Sequence, residues 1–152
     1  MKNFLLILII ILFTTQLKAN NKHNIINNLK NTKNVNFEFE QNINQKIEKG
    51  NCVVKYPKKI FCEYTGKNNK ILVSNGRSLV IKTKASYYRY PLEKTPLNLI
   101  LDKDYLINKI NNLEERVVDE SFINFTIKEN DIEINIFFDN KTFNLIGWQT
   151  KD

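Results

Sequence analysis

The two cysteines of the chain, Cys52 and Cys62, flank Tyr56-Pro57-Lys58-Lys59 within the stretch Gly50 to Tyr64, GNCVVKYPKKIFCEY. Two readings fit them: a disulfide, or a pair of buried thiols acting as small hydrophobes. They are too few to complete a tetrahedral zinc site, and the only histidine, His23, falls in a polar N-terminal segment where it reads as a solvated side chain. The acid pairs Glu114-Glu115 and Asp102 with Asp104 are of the type that glycoside hydrolysis uses. Charges beside a helix more often form a solvated face, and that is how these are read. No serine sits in a nucleophile elbow, and no phosphate-cradling loop or dinucleotide fingerprint is present. Neither an enzymatic activity nor a metal or cofactor is therefore expected.

The element that must position the cysteines is a hairpin. With its turn centred on Pro57, Val54 faces Ile60 and Cys52 faces Cys62, because opposed residues in an antiparallel pair have a constant number sum. Both thiols then share one sheet face, and a slip of one residue would part them. Ahead of the hairpin, Ile25, Ile26 and Leu29 recur at helical spacing between Lys22 and Lys30. Next, Val35, Phe37, Phe39 and Gln41 alternate with Asn36, Glu38 and Glu40 as in a half-buried strand. Beyond the hairpin, strands are expected at Lys70 to Val73, Ser78 to Lys82 and Tyr87 to Tyr90, joined by tight turns as an antiparallel meander. Thr95 is placed to cap a short apolar helix over Leu97 to Leu101, with Pro96 in its first turn. Asp104 to Leu113 either extends that helix or forms a third. Val117 to Val118, Phe122 to Lys128, Ile132 to Phe138 and Phe143 to Gln149 read as strands. The expected fold is α+β: one curved antiparallel sheet with apolar helices lying on it.

At the N-terminus, Lys2, the apolar run Phe4 to Phe13 and the small residue Ala19 read as a secretory signal peptide over residues 1–19, leaving one domain over 20–152. The run is shorter than the roughly 20 residues that span a bilayer, and no cysteine near Ala19 would allow lipidation. The chain carries 23 Lys and Arg against 16 Asp and Glu, a net +7, and loss of Lys2 and Lys18 leaves +7 − 2 = +5. That excess is scattered among glutamates, unlike the basic stripe of a nucleic-acid binder. No nucleic-acid partner is expected.

Several segments in order resemble the outer-membrane lipoprotein carrier (LolA) family. They are Phe39-Glu40-Gln41, the hairpin with Pro57 in its turn, ILVSNG from Ile71, TPLNLIL from Thr95 and LIGWQTKD from Leu145. The resemblance implies a periplasmic chaperone, expected to be a monomer. It would accept acylated lipoproteins from an inner-membrane lipoprotein-releasing transporter and pass them to an outer-membrane receptor. It also implies an unclosed antiparallel β-barrel under a lid of short helices. On that basis Phe37, Phe39, Val54, Ile60 and Tyr64 are expected to line a lipid-binding groove. Ile25, Ile26, Leu29, Leu97, Leu99, Ile100 and Leu101 are expected to form the lid.

Two positions depart from the family pattern. Where many members carry an arginine before the turn proline this chain has Tyr56, which becomes the lid-contact candidate through its hydroxyl. Members also continue past the tryptophan strand, whereas Asp152 follows Trp148 by four residues. A shortened member or an incomplete chain is expected, lacking C-terminal strands and showing an unpaired sheet edge. Two other exported functions remain alternatives: carriage of a different amphiphile, and an interaction or sensor domain that binds a protein segment.

Overall fold

A computed structural model describes residues 20–151 apart from 44 and 130. The segment read as a signal peptide lies outside the described residues. Helix α1, Asn20–Asn31, opens the fold. In β1, Asn34–Ile43, the side bearing Val35, Phe37, Phe39 and Gln41 is half-buried, and Asn36, Glu38 and Glu40 are exposed, as their alternation requires. The strands β2 (Lys46–Lys55), β3 (Lys59–Tyr64), β4 (Ile71–Asn75), β5 (Ser78–Lys82) and β6 (Tyr87–Pro91) follow as a meander, so that the six-stranded sheet runs β1-β2-β3-β4-β5-β6.

The hairpin has the expected register, with Val54 opposite Ile60 and Cys52 opposite Cys62. Cys52 and Cys62 are joined by a disulfide, their Cα atoms 4.1 Å apart. Cross-linking over a sequence separation of 10 restricts the unfolded chain by about 3 kcal/mol in the loop-closure account. Thiol titration of the denatured, unreduced protein should find no free thiol, and Cys52→Ala/Cys62→Ala should lower unfolding stability by about 2–3 kcal/mol. Two titrating thiols would contradict the bond.

After β6 the chain turns helical. A 3-10 turn at Leu92–Lys94 leads to the short helix α2, Leu97–Ile100, and then to α3, Lys103–Asn112. Asp102, not Thr95, is the capping side chain: its carboxylate accepts from the Tyr105 N–H at 3.1 Å, at the start of α3. The Thr95 hydroxyl instead donates to the Leu92 carbonyl at 2.8 Å, closing the 3-10 turn, and no side chain caps α2. Thr95 was a good cap by type, but its hydroxyl is already committed to the turn behind it.

The strands β7 (Arg116–Val118), β8 (Phe122–Glu129), β9 (Ile132–Asp139) and β10 (Leu145–Lys151) form a second, four-stranded sheet ordered β10-β9-β8-β7. The curved wall is therefore assembled from two hydrogen-bonded sheets, because the chain between β6 and β7 is spent on helices. The fold class stands: α+β, antiparallel and unclosed, with short helices on the sheets.

The main core lies on the second sheet. Ile123, Phe125 and Ile127 of β8 and Ile134, Ile136 and Phe138 of β9 present one face, as alternate residues must. Ile25, Ile26 and Leu29 of α1 and Leu106 and Ile110 of α3 pack onto it. Lys103 ties the two helices together, its ammonium donating to the carbonyls of Lys30 at 3.0 Å and Thr32 at 3.1 Å, at the end of α1.

Candidate functional site: an apolar groove beneath a short helix

The concave side of the six-stranded sheet encloses a cavity of about 620 Å³, within the roughly 300–1,000 Å³ of small-molecule sites. Val35, Phe37 and Phe39 from β1, Cys52 and Val54 from β2, and Ile60, Cys62 and Tyr64 from β3 line it. These positions come together because direct opposition in an antiparallel pair keeps a row on one face: Phe37, Cys52, Cys62, Leu72 and Ile81 are successive partners across five strands. Gly50 opposes Phe39, and its missing side chain gives the Phe39 ring room to lie over β2; a Cβ there would meet the Glu63 carbonyl and the Phe39 ring. Phe39 also packs edge-to-face on Tyr64, ring centroids 4.9 Å apart.

Leu97, Ile100 and Leu101, on and just after α2, roof the cavity. Ile100 and Leu101 are each only 1% exposed, so the apolar side chains of the roof are themselves sheltered from water. On the remaining side, β10 contributes Leu145, Ile146, Gly147, Trp148 and Thr150. Strands β1 and β10 are the end strands of their sheets. They approach through Phe37 and Trp148, whose rings meet edge-on at 6.3 Å.

All five residues expected to form the wall, Phe37, Phe39, Val54, Ile60 and Tyr64, line this cavity, as do three of the seven expected in the lid. The other four are elsewhere. Leu99 packs against the second-sheet core, and Ile25, Ile26 and Leu29 are buried in it. Their helical periodicity marks an apolar face without saying which sheet that face covers.

Tyr56 lines the cavity, and burial pushes its phenol pKa upward. The Lys103 ammonium lies 5.9 Å from its ring centroid. The roof is tied to the hairpin turn by Lys58. Its N–H donates to the Leu101 carbonyl at 2.8 Å, and its ammonium pairs with Asp102 at 3.2 Å. Sequence reading passed over Lys58, since a lysine in a turn looks like any solvated charge. A partly exposed pair of this kind contributes about 0–1 kcal/mol. Lys58→Asn, which keeps a residue tolerant of the positive φ of 60°, should raise binding of a fluorescent apolar probe by up to about fivefold. A decrease would mean that the pair does not restrain the roof.

Beyond Gln41 and Tyr64 of the groove wall, at the strand ends remote from the hairpin turn, stands a polar cluster. Lys70 donates to the Glu48 carboxylate at 2.6 Å, Gln41 donates to it at 2.9 Å, and Lys46 pairs with it at 3.2 Å. Chiefly through the Lys70 bond, the carboxyl is held at about 2 against an ordinary 4.5. A depressed acid stabilises the fold above its unfolded value and loses that contribution as pH falls through its folded value. The stability advantage of the native protein over Glu48→Gln should therefore be full above pH 4.5 and fade toward pH 2. Urea midpoints of the two proteins across that range would check it, and a constant difference would contradict it.

The sequence profile of the outer membrane lipoprotein carrier protein LolA family matches residues 30–152. This chain belongs to the LolA family. The match runs from the end of α1 through both sheets and so takes in the groove, its roof and the Trp148 strand. No curated protein sequence matches the chain. The LolA family comprises periplasmic carriers of lipoproteins, and its members act as chaperones in outer-membrane biogenesis.

Proposed function

We propose that this protein shelters the acyl chains of lipoproteins in the groove under α2. It would take them from an inner-membrane releasing transporter and give them up to an outer-membrane receptor. The observation that carries the reading is the apolar cavity itself, bordered by Trp148 and roofed by Leu97, Ile100 and Leu101, on and just after a single short helix.

The energetics suit a carrier. Each buried methylene contributes about 0.8 kcal/mol, so about ten methylenes of one chain supply roughly 8 kcal/mol. Against that gain stands the displacement of Leu97, Ile100 and Leu101, whose own apolar area must find another cover. Burying a leucine or isoleucine side chain is worth about 1.5–3 kcal/mol. The net affinity is thereby held to a level that allows release. The helix α2 has four residues and no side-chain cap, so few local bonds hold it. Its movement would also withdraw Ile100 from the core formed by α1, α3 and the second sheet, on which Leu97 and Leu99 pack, and that loss adds to what cargo must outweigh.

A photo-crosslinking residue at Leu97, in cells, tests the route. Mass spectrometry of the products should find acylated lipoproteins, with components of the donor and acceptor membranes. Products containing no lipoprotein would contradict the proposal, and free lipids alone would favour carriage of another amphiphile.

A further inference from the structure

A second cavity, of about 610 Å³, lies at the ends of the strands remote from the hairpin turn, and Tyr64 forms part of the wall of both cavities. Its chemistry differs from that of the groove. Lys46, Lys49, Lys67 and Lys70 line it, and Glu48 is the one acid among its lining residues. Lys46 and Lys70 share Glu48, while Lys49 pairs with Glu40 at 2.7 Å. Lys67 has no ion pair among the described residues. Four lysines against two acids leave an excess of two positive charges. Around these charges stand apolar and amphipathic side chains exposed to water: Ile47 is 57% exposed, Tyr88 52% and Tyr90 44%.

We propose that this cavity is a docking site for an anionic phospholipid surface. The lysines take lipid phosphates, and Tyr88, Tyr90 and Ile47 rest at the headgroup level. Two observations favour a membrane over a soluble anion. Lysines alone would suffice for a free phosphate, whereas exposed tyrosines and an isoleucine beside them match the mixed polarity of the bilayer interface. In addition, the shared Tyr64 wall puts the hydrocarbon groove next to the docked headgroups, where an acyl chain leaving or reaching a membrane would be.

The test uses cargo-free protein and vesicles, so it reads membrane docking separately from acyl capture, and either can fail alone. The protein should sediment with equimolar phosphatidylglycerol and phosphatidylcholine vesicles and far less with phosphatidylcholine alone. Each lysine near an anionic surface contributes about fivefold in affinity, so Lys49→Gln/Lys67→Gln should weaken binding about 25-fold. Lys55→Gln/Lys59→Gln, which removes the same charge at the other end of β2 and β3, should leave binding within about twofold. Tyr88→Ser/Tyr90→Ser should weaken binding with the charge unchanged. Equal loss in the two lysine pairs would reduce the effect to net charge and overturn the site. Displacement by millimolar inorganic phosphate at constant ionic strength would make it a soluble-anion site and overturn the membrane assignment. Unimpaired binding by the tyrosine pair, or equal sedimentation with both vesicle types, would overturn it as well.

Discussion

Phe39→Glu should abolish capture of a diacylated lipopeptide while leaving the protein folded. The side chain lines the groove from an end strand and is only half-buried, so in the empty protein the carboxylate can reach water. With an acyl chain in place it must be buried unpaired or take up a proton. Protonation at pH 7 of a group with an ordinary value near 4.3 sets the penalty at about 4 kcal/mol, roughly a 500- to 1,000-fold loss of affinity. Phe39→Leu keeps the apolar lining and should lose little. Phe61→Glu, on the opposite face of β3 and already 41% exposed, should capture normally. If folded Phe39→Glu still bound the lipopeptide as tightly as the native protein, the wall of the groove would be misassigned.

The second large effect separates the roof from the core. Ile25 is fully buried against α3 and the second sheet. Ile25→Glu therefore combines the protonation cost above with lost apolar burial of about 1.5–3 kcal/mol. More than about 5 kcal/mol is a large part of the stability of any domain, and thermal unfolding should fall by at least about 15 °C. Leu97→Glu carries the same charge on a half-buried residue of α2. It should remain folded, because that short helix can turn the carboxylate outward, and should capture no lipopeptide. Similar unfolding of both variants would mean that the roof and the core are one rigid unit, and displacement by cargo would then have no structural basis.

That division of labour shows how far the sequence could be read. The hairpin around Pro57 was legible because its constraints are local. A constant number sum and period-two alternation place Cys52, Cys62, Val54 and Ile60 on one face without reference to the rest of the chain. The same arithmetic, carried one strand further, would have reached Leu72. The helices were legible as apolar stripes but not as to their partners. Leu99 and Leu101 lie two residues apart, yet one packs on the second-sheet core and the other roofs the groove. Which way each points depends on how α2 sits between two sheets, and no local pattern encodes that. The break of the wall into two sheets was equally hidden, since it depends on the path of residues 92–115. Lys58 shows a third limit: its role rests on a backbone N–H and a partner 44 positions away, Asp102, and neither leaves a mark in residue type.

The only tryptophan of the chain, Trp148, borders the groove against Phe37, and its fluorescence gives the most direct test. The protein should be titrated with a lipopeptide carrying brominated acyl chains and with its deacylated twin. A greasy groove that admits hydrocarbon beside Trp148 predicts saturable quenching at one equivalent of the acylated peptide and no response to the other. Equal responses to both, or none to the acylated form at concentrations where it binds, would contradict the account.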